Sequence, residues 1–214
     1  YKNAIWSKTP IYDLETQFPG YKPQNFDWKF SGKMNFSTAL NESRNIPAIK
    51  MFYMAWGEKP IVNFMQTLWV ESLNEKWQYW APLALGTWEM TAFELARAYS
   101  VFANNWQLKE FSPILKIVDN QWNIVEDHES TVNVGKQIIS KWQTYLMNSV
   151  LSDTSTRPAF WNTYLSLNGR KVAAKTGTST KQFVENGKKI IYPANLWTVW
   201  YTPKYTTVAW SGNT

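Results

Sequence analysis

The chain contains no cysteine and a single histidine among its 214 residues. The first absence excludes disulfides, thiolate metal sites and a cysteine nucleophile, and it leaves both reducing and oxidising compartments open. The second excludes a histidine-based metal cluster, and no Ser-His-Asp triad is available unless His128, in "EDHES", serves alone. No metal site and no cofactor is expected. Long apolar runs are also missing. Nothing approaches the roughly 18 consecutive apolar residues of a membrane span, and "YKNAIWSKTP" has neither a signal-peptide pattern nor an initiating Met. The chain therefore reads as an excised part of a longer polypeptide, and any membrane attachment belongs to a segment outside it. A phosphate loop is excluded as well, because "GRKVAAKTGTS" lacks the glycine immediately before lysine.

Charged residues make up only 18% of the chain, whereas 44% is hydrophobic and 17% aromatic, with 14 Trp. That composition buries one sizeable core and is unlike a disordered chain. The net charge is +6. Its basic residues are dispersed and accompanied by no recognition motif, so nucleic acid is not expected as a partner.

Residues 1–33 are punctuated by Pro10, Pro19, Gly20 and Pro23 and read as an irregular lead-in. A mainly helical part covers 34–160. In "FSTALNESRNIPAIKMFYMAW", Pro47 implies two helices meeting at "SRN", with the proline in the first turn of the second. "KPIVNFMQTLWV" is a helix by the spacing of Ile61, Phe64, Met65 and Leu68. "TAFELARAYSVFANN" is another, opened by Thr91 and Glu94 as a capping box. "SPILKIVDNQWNIVED" reads as two strands around a turn at Asp119 to Asn123, and "GKQIISKWQTYLMNSVLSD" as an amphipathic helix. Residues 169–214 turn to strands: "RKVAAKTGTS", "NLWTVWYTP" and "YTTVAWSG", the last two joined at "TPKY". Helices first and strands last predict an α+β fold, an antiparallel sheet flanked by helices, in one domain spanning 1–214.

Two short motifs carry chemistry. In "KTGT", Lys175 supplies charge, Thr176 and Thr178 supply directional hydroxyls, and Gly177 lets a ligand approach the backbone, which together suit a carboxylate. Alone, such a tetrapeptide is as readily a solvated strand end. Upstream, "SRN" places Ser43 and Asn45 at the helix junction, where by themselves they would read as caps of the Pro47 helix. S-x-N followed by K-T-G is, however, the pairing found in penicillin-binding proteins and β-lactamases.

The longer blocks "YKPQNFDWKFSGKMNFSTALNESRNIPAIKMF", "LALGTWEMTAFELARAYSVFANN" and "KVAAKTGTST" resemble the transpeptidase domain of class A (type 1A) penicillin-binding proteins over nearly the whole chain. The resemblance implies a bacterial, extracytoplasmic D,D-transpeptidase. Such an enzyme cross-links peptidoglycan stem peptides ending in D-Ala-D-Ala through a serine acyl-enzyme, and β-lactam antibiotics bind it. On that resemblance Ser43 shuttles a proton to the leaving group and Asn45 holds the donor amide. Lys175 supplies positive potential and polarises Ser43. Thr176 and Thr178 bind the terminal carboxylate, Gly177 keeps the strand surface open, and the Thr178 N–H is half of an oxyanion hole. D,D-carboxypeptidases and β-lactamases share the motifs. A non-catalytic peptidoglycan-binding module is the competing class.

Two features depart from the family. No serine is followed by lysine three residues later, so the S-x-x-K nucleophile is expected ahead of Tyr1. Secondly, Trp28, Trp56, Trp77, Trp106 and Trp122 stand where turn chemistry and the family pattern both expect glycine. Natural adaptation, deliberate substitution and a recording error are the three possible origins. A tryptophan forced into positive φ would cost about 1 to 3 kcal/mol per site. Trp200, in "TVWYTP", also replaces an expected glycine beside the site.

Overall fold

The computed structural model describes residues 6–73, 79–132, 134–185 and 187–212. Strand β1 (Pro10–Asp13) pairs antiparallel with β2 (Gly32–Asn35), Asp13 lying opposite Gly32. The proline-punctuated lead-in thus contains one short strand, with Ile11 and Asp13 buried and Pro10 and Tyr12 exposed. Four residues give too short an alternation to stand out from the surrounding turn residues.

Helix α1 (Phe36–Asn41) starts at Asn35, whose side chain accepts from the Thr38 N–H at 2.8 Å. Helix α2 (Asn45–Met54) follows across Glu42 to Arg44. Pro47 sits in its first turn, where a missing N–H leaves no bond unmade. Helix α3 (Glu58–Thr67) and a 3-10 turn (Ala81–Leu85) lead to α4 (Ala92–Ala103), which carries the expected Thr91–Glu94 capping box. Burial pushes the Glu94 pKa up, but the hydrogen bonds that Thr91 and Ser72 donate to its carboxylate outweigh it and bring the value down to about 2.

Strand β3 (Gln107–Lys109) pairs with β6 (Gly135–Gln137), and β4 (Lys116–Val118) with β5 (Ile124–Asp127). A single helical turn, α5 (Glu129–Val132), lies between β5 and β6. Gly135 to Gln137 were expected to be helical. The helix α6 (Lys141–Leu151) instead begins at Ser140, which with Gln143 forms a second capping box. A short α7 (Ala159–Leu165) precedes the main sheet, ordered β7 (Ala173–Glu185), β8 (Lys188–Tyr201), β9 (Thr206–Gly212) and antiparallel throughout. The Thr202 N–H donates to the Tyr205 carbonyl at 2.8 Å in the predicted "TPKY" turn.

The larger apolar core joins Ile46, Ile49 and Phe52 of α2 to Val70, Leu73, Leu83, Val101 and Leu108. A smaller one, Ala103, Leu151, Ala173 and Tyr201, lies where α4 and α6 cover the sheet, and Leu40 of α1 packs against it. Asn41 of α1 also donates to the Val150 carbonyl at 3.0 Å. These contacts seat the C-terminus of α1 beside the start of β7.

Among the described residues, six tryptophans occupy the left-handed region: Trp28, Trp56, Trp69, Trp80, Trp106 and Trp122, with φ between 54° and 69°. Four of these were expected from sequence. Trp77 lies outside the described residues, and Trp69 and Trp80 were not foreseen. Trp56 and Trp69 each sit one residue beyond a helix C-cap in a Schellman motif. The Trp56 N–H reaches Tyr53 O and the Gly57 N–H reaches Phe52 O, while Trp69 and Val70 repeat the pattern on Gln66 and Met65. Glycine is the usual occupant of that position because it has no Cβ to clash.

Candidate active site

The same Schellman closure creates the site. The Ser43 N–H donates to Leu40 O at 3.1 Å and the Arg44 N–H to Ala39 O at 2.9 Å, ending α1 with Ser43 at φ 55°. A β-carbon is disfavoured there, so the position selects a serine only if its hydroxyl is needed. Arg44 becomes the N-cap residue of α2, with no side-chain cap bond, and Asn45 is the first helical residue. Neither Ser43 nor Asn45 is therefore an ordinary capping residue.

The turn is braced from below. Asp13 is fully buried and Asn25 nearly so. The Asn25 amide donates to both Asp13 carboxylate oxygens, at 2.9 and 3.0 Å, and to Lys29 O at 2.8 Å. Its own oxygen accepts the Asn45 backbone N–H at 2.8 Å. Asn45 Nδ2 donates to Gln24 O at 2.7 Å, which fixes the orientation of that side-chain amide. Arg44 is turned away from the hydroxyl, donating to Asp27 at 3.0 Å and Glu42 at 3.1 Å. The hydrogen bonds and charges of these two carboxylates raise its pKa above the usual value against the opposing effect of burial. These contacts make Arg44 a brace of the loop.

Lys175 reaches the turn from β7. Its Nζ donates to Ser43 Oγ across 132 residues of chain and to Thr176 O at 2.8 Å. Burial without a carboxylate partner lowers its pKa to about 8. Its ammonium is thus the major form at neutral pH. Thr176, Gly177 and Thr178 continue along β7, opposite Thr198, Trp197 and Leu196. Among the described residues β7 pairs only with β8, so its other edge has backbone donors and acceptors free for an extended ligand.

Strand alternation assigns the neighbouring tryptophans. Trp200 lies opposite Ala174, and Trp197 opposite Gly177. Directly opposed residues share a face and successive residues alternate, so Trp197 stands on the side of Lys175 and Trp200 on the side of Thr176 and Thr178. A Cβ on Gly177 would come within 3.6 Å of the Trp197 Cβ, ordinary contact distance. Asp13, Asn25 and Trp197 were not singled out from sequence. The buried pair was hidden because "IYDLE", which holds Asp13, and "YKPQNFD", which holds Asn25, look like surface turn chemistry until the fold encloses them. His128 is half exposed and lies 3.1 Å from Glu126, away from the site residues in sequence and strand order. No cluster of three metal-ligating side chains exists among the described residues, and none of their helices is long and apolar enough to cross a membrane.

An S-x-N turn bonded to the lysine of a K-T-G-T strand, on a helix-covered antiparallel sheet, defines the penicillin-recognising class of α+β serine proteins. The family model for the penicillin binding protein transpeptidase domain matches residues 4–213, and the chain belongs to that family. It is 30% identical to penicillin-binding protein 1A of Clostridium acetobutylicum over 90% of this chain and 22% of that protein. To penicillin-binding protein 1F of Bacillus subtilis it is 27% identical, over 94% of this chain and 26% of the other. The chain thus spans about a quarter of the length of these relatives. Its fold superposes on the penicillin-binding protein PonA1 of Mycobacterium tuberculosis with a TM-score of 0.81 at 21% identity, covering 98% of this chain and 55% of that one. For penicillin-binding protein 1A of Haemophilus influenzae the TM-score is 0.70 at 22% identity, over 92% and 33%.

Proposed function

We propose that this chain is the supporting part of a serine D,D-transpeptidase site, and that the parent protein cross-links peptidoglycan stem peptides ending in D-Ala-D-Ala. The observation that carries the reading is the hydrogen bond from Lys175 Nζ to Ser43 Oγ, which joins the two motifs into one polar centre. The attacking serine is supplied by the parent protein, since no S-x-x-K occurs in these residues. It opens the D-Ala-D-Ala amide, the carbonyl carbon bonding to serine Oγ, while the serine proton passes to a base and Ser43 returns one to the departing amine. Lys175 holds the Ser43 hydroxyl in line and supplies positive potential for the substrate carboxylate, with Thr176 and Thr178 as its hydroxyl donors. Asn45 binds the donor amide, and the Thr178 N–H meets the developing oxyanion. An acceptor amine then takes the acyl group.

β-Lactams are the inhibitors this site fits, trapping the same serine as a stable acyl adduct. A solved structure of PonA1, at TM-score 0.79, is described as a complex with penicillin V, which supports that reading by likeness of fold. Work on peptidoglycan puts the domain on the outer side of the bacterial cytoplasmic membrane. The test is to incubate the full-length parent with a fluorescent penicillin and map the labelled peptide. A single adduct on a serine outside these residues, formed more slowly after Ser43→Ala or Lys175→Ala, is the expected result. No adduct on the folded protein would leave a non-catalytic peptidoglycan-binding module.

A further inference from the structure

We infer that Asp13 and Asn25 position the Ser43–Asn45 turn for acyl transfer. The inference rests on the site reading above. Asn25 has every polar atom committed: its nitrogen to Asp13 and Lys29 O, its oxygen to the Asn45 N–H. Asp13 also accepts the Ser31 N–H at 3.0 Å, and the Arg44 guanidinium lies 3.7 Å away. One buried polar pair therefore grips the first residue of α2, while Arg44 anchors the middle of the turn. The left-handed Ser43 lies between these anchors and the end of α1, so its hydroxyl direction follows from where Asn25 holds Asn45. A displacement of about 1 Å in such a turn can cost about a hundredfold in rate.

The test uses the full-length parent and separates the acylation rate constant from penicillin affinity. Asn25→Asp sets two carboxylates against each other and should slow acylation by about ten- to hundredfold. Adding Asp13→Asn restores a donor–acceptor pair between the two side chains and keeps an oxygen on the Asn45 N–H, but leaves Lys29 O without its donor, so it should recover part of the lost rate. A purely structural pair would move the melting temperature and leave the rate constant of the folded fraction unchanged, and that result overturns the inference. Lys175→Ala is the control. If it slows acylation while Asn25→Asp does not, positioning fails and the site stands; if Lys175→Ala has no effect, the site reading itself fails.

A separate observation concerns the left-handed tryptophans. Among the described residues, eight non-glycine positions have positive φ, and six are tryptophan. A bulky residue is a rare visitor to that region. At four of them packing does not repay it, Trp28, Trp56, Trp80 and Trp122 being 67 to 90% exposed, whereas Trp69 and Trp106 pack on the main core and Arg97 lies over the Trp69 ring. Two of the six fill the glycine seat of a Schellman motif and another, Trp122, closes the β4–β5 turn, its N–H on Asp119 O at 3.1 Å. By contrast, Trp197 and Trp210 are opposed strand residues 6.1 Å apart, and Trp210 Nε1 donates to Asn195.

We propose that the six left-handed positions are glycines in the protein as its own cell makes it, each encoded by UGA. Some translation systems read that codon as tryptophan and others as glycine. The gene should then carry UGA at positions 28, 56, 69, 80, 106 and 122, and UGG at 197 and 210. Replacing the six by glycine in the full-length parent should raise the melting temperature of this domain by about 10 °C or more. UGG at the six positions, or no gain in melting temperature, overturns the proposal.

Discussion

Replacing Lys175 by methionine should stabilise the domain while crippling the site. Desolvation takes the lysine from its ordinary 10.5 to about 8, a shift equivalent to about 3 kcal/mol of penalty on the charged form. The sign follows from proton binding. Between about pH 8 and 10.5 the unfolded chain holds this proton and the folded chain does not, so stability rises with pH across that window. Below it the penalty is present in full. Methionine keeps the apolar stem and removes the charge. It also removes two donated hydrogen bonds, to Ser43 Oγ and Thr176 O, each worth about 1 kcal/mol. The net gain at neutral pH is about 1 to 2 kcal/mol, or about 2 to 8 °C in melting temperature for a domain of this size. Calorimetry of the parent protein from pH 6 to 10 measures it, and the rise above pH 8 should vanish in Lys175→Met. Acylation by penicillin should fall about a hundred- to a thousandfold. A lower melting temperature at neutral pH, or an unchanged alkaline limb, would refute the argument that the ammonium is held at a cost.

Ser43→Gly should show the same trade in milder form: relief of the left-handed Cβ stabilises by about 1 kcal/mol, and the acylation rate falls because the proton carrier is gone, both read from one purified variant. Glu94 gives the acid limb: its pKa near 2 against 4.5 makes its contribution full above about pH 4.5 and lost as pH falls toward 2, so Glu94→Gln should flatten stability across that window in a pH-melting series. Ile49→Ala, at a fully buried position of α2, should cost about 2 to 5 kcal/mol in denaturant unfolding and lower the folded fraction without changing the acylation rate of what remains folded.

Much of the fold was legible because local signals agreed with tertiary need. The Thr91–Glu94 box opened a helix where expected, and Pro47 divided two helices at "SRN" as its missing N–H requires. Where signals were weak, packing decided. Gly135 to Gln137 carry apolar neighbours that continue a helical pattern, yet the strand β3 needed a partner and captured them. The β7–β8 hairpin runs far past the predicted strands, through Glu185 and Lys188; the Asn186-Gly187 dipeptide was the available signal, outweighed by the polar residues around it.

The site was legible as residue types and not as geometry, and Ser43 shows why. Nothing in its neighbours marks position 43 as left-handed, since that conformation comes from ending α1 and starting α2 within three residues. Glycine would satisfy the backbone there at least cost. A serine in a glycine seat is tolerable because Lys175 bonds its hydroxyl while Asn25 holds Asn45 and Asp27 holds Arg44 on its C-terminal side, and a strained residue so over-determined is where function is expected. The exposed left-handed tryptophans have the same backbone and no such bracing. Two kinds of residue occupying one kind of seat, one held by a buried polar network and the other projecting into solvent, separate a position kept for chemistry from positions that need only a missing side chain.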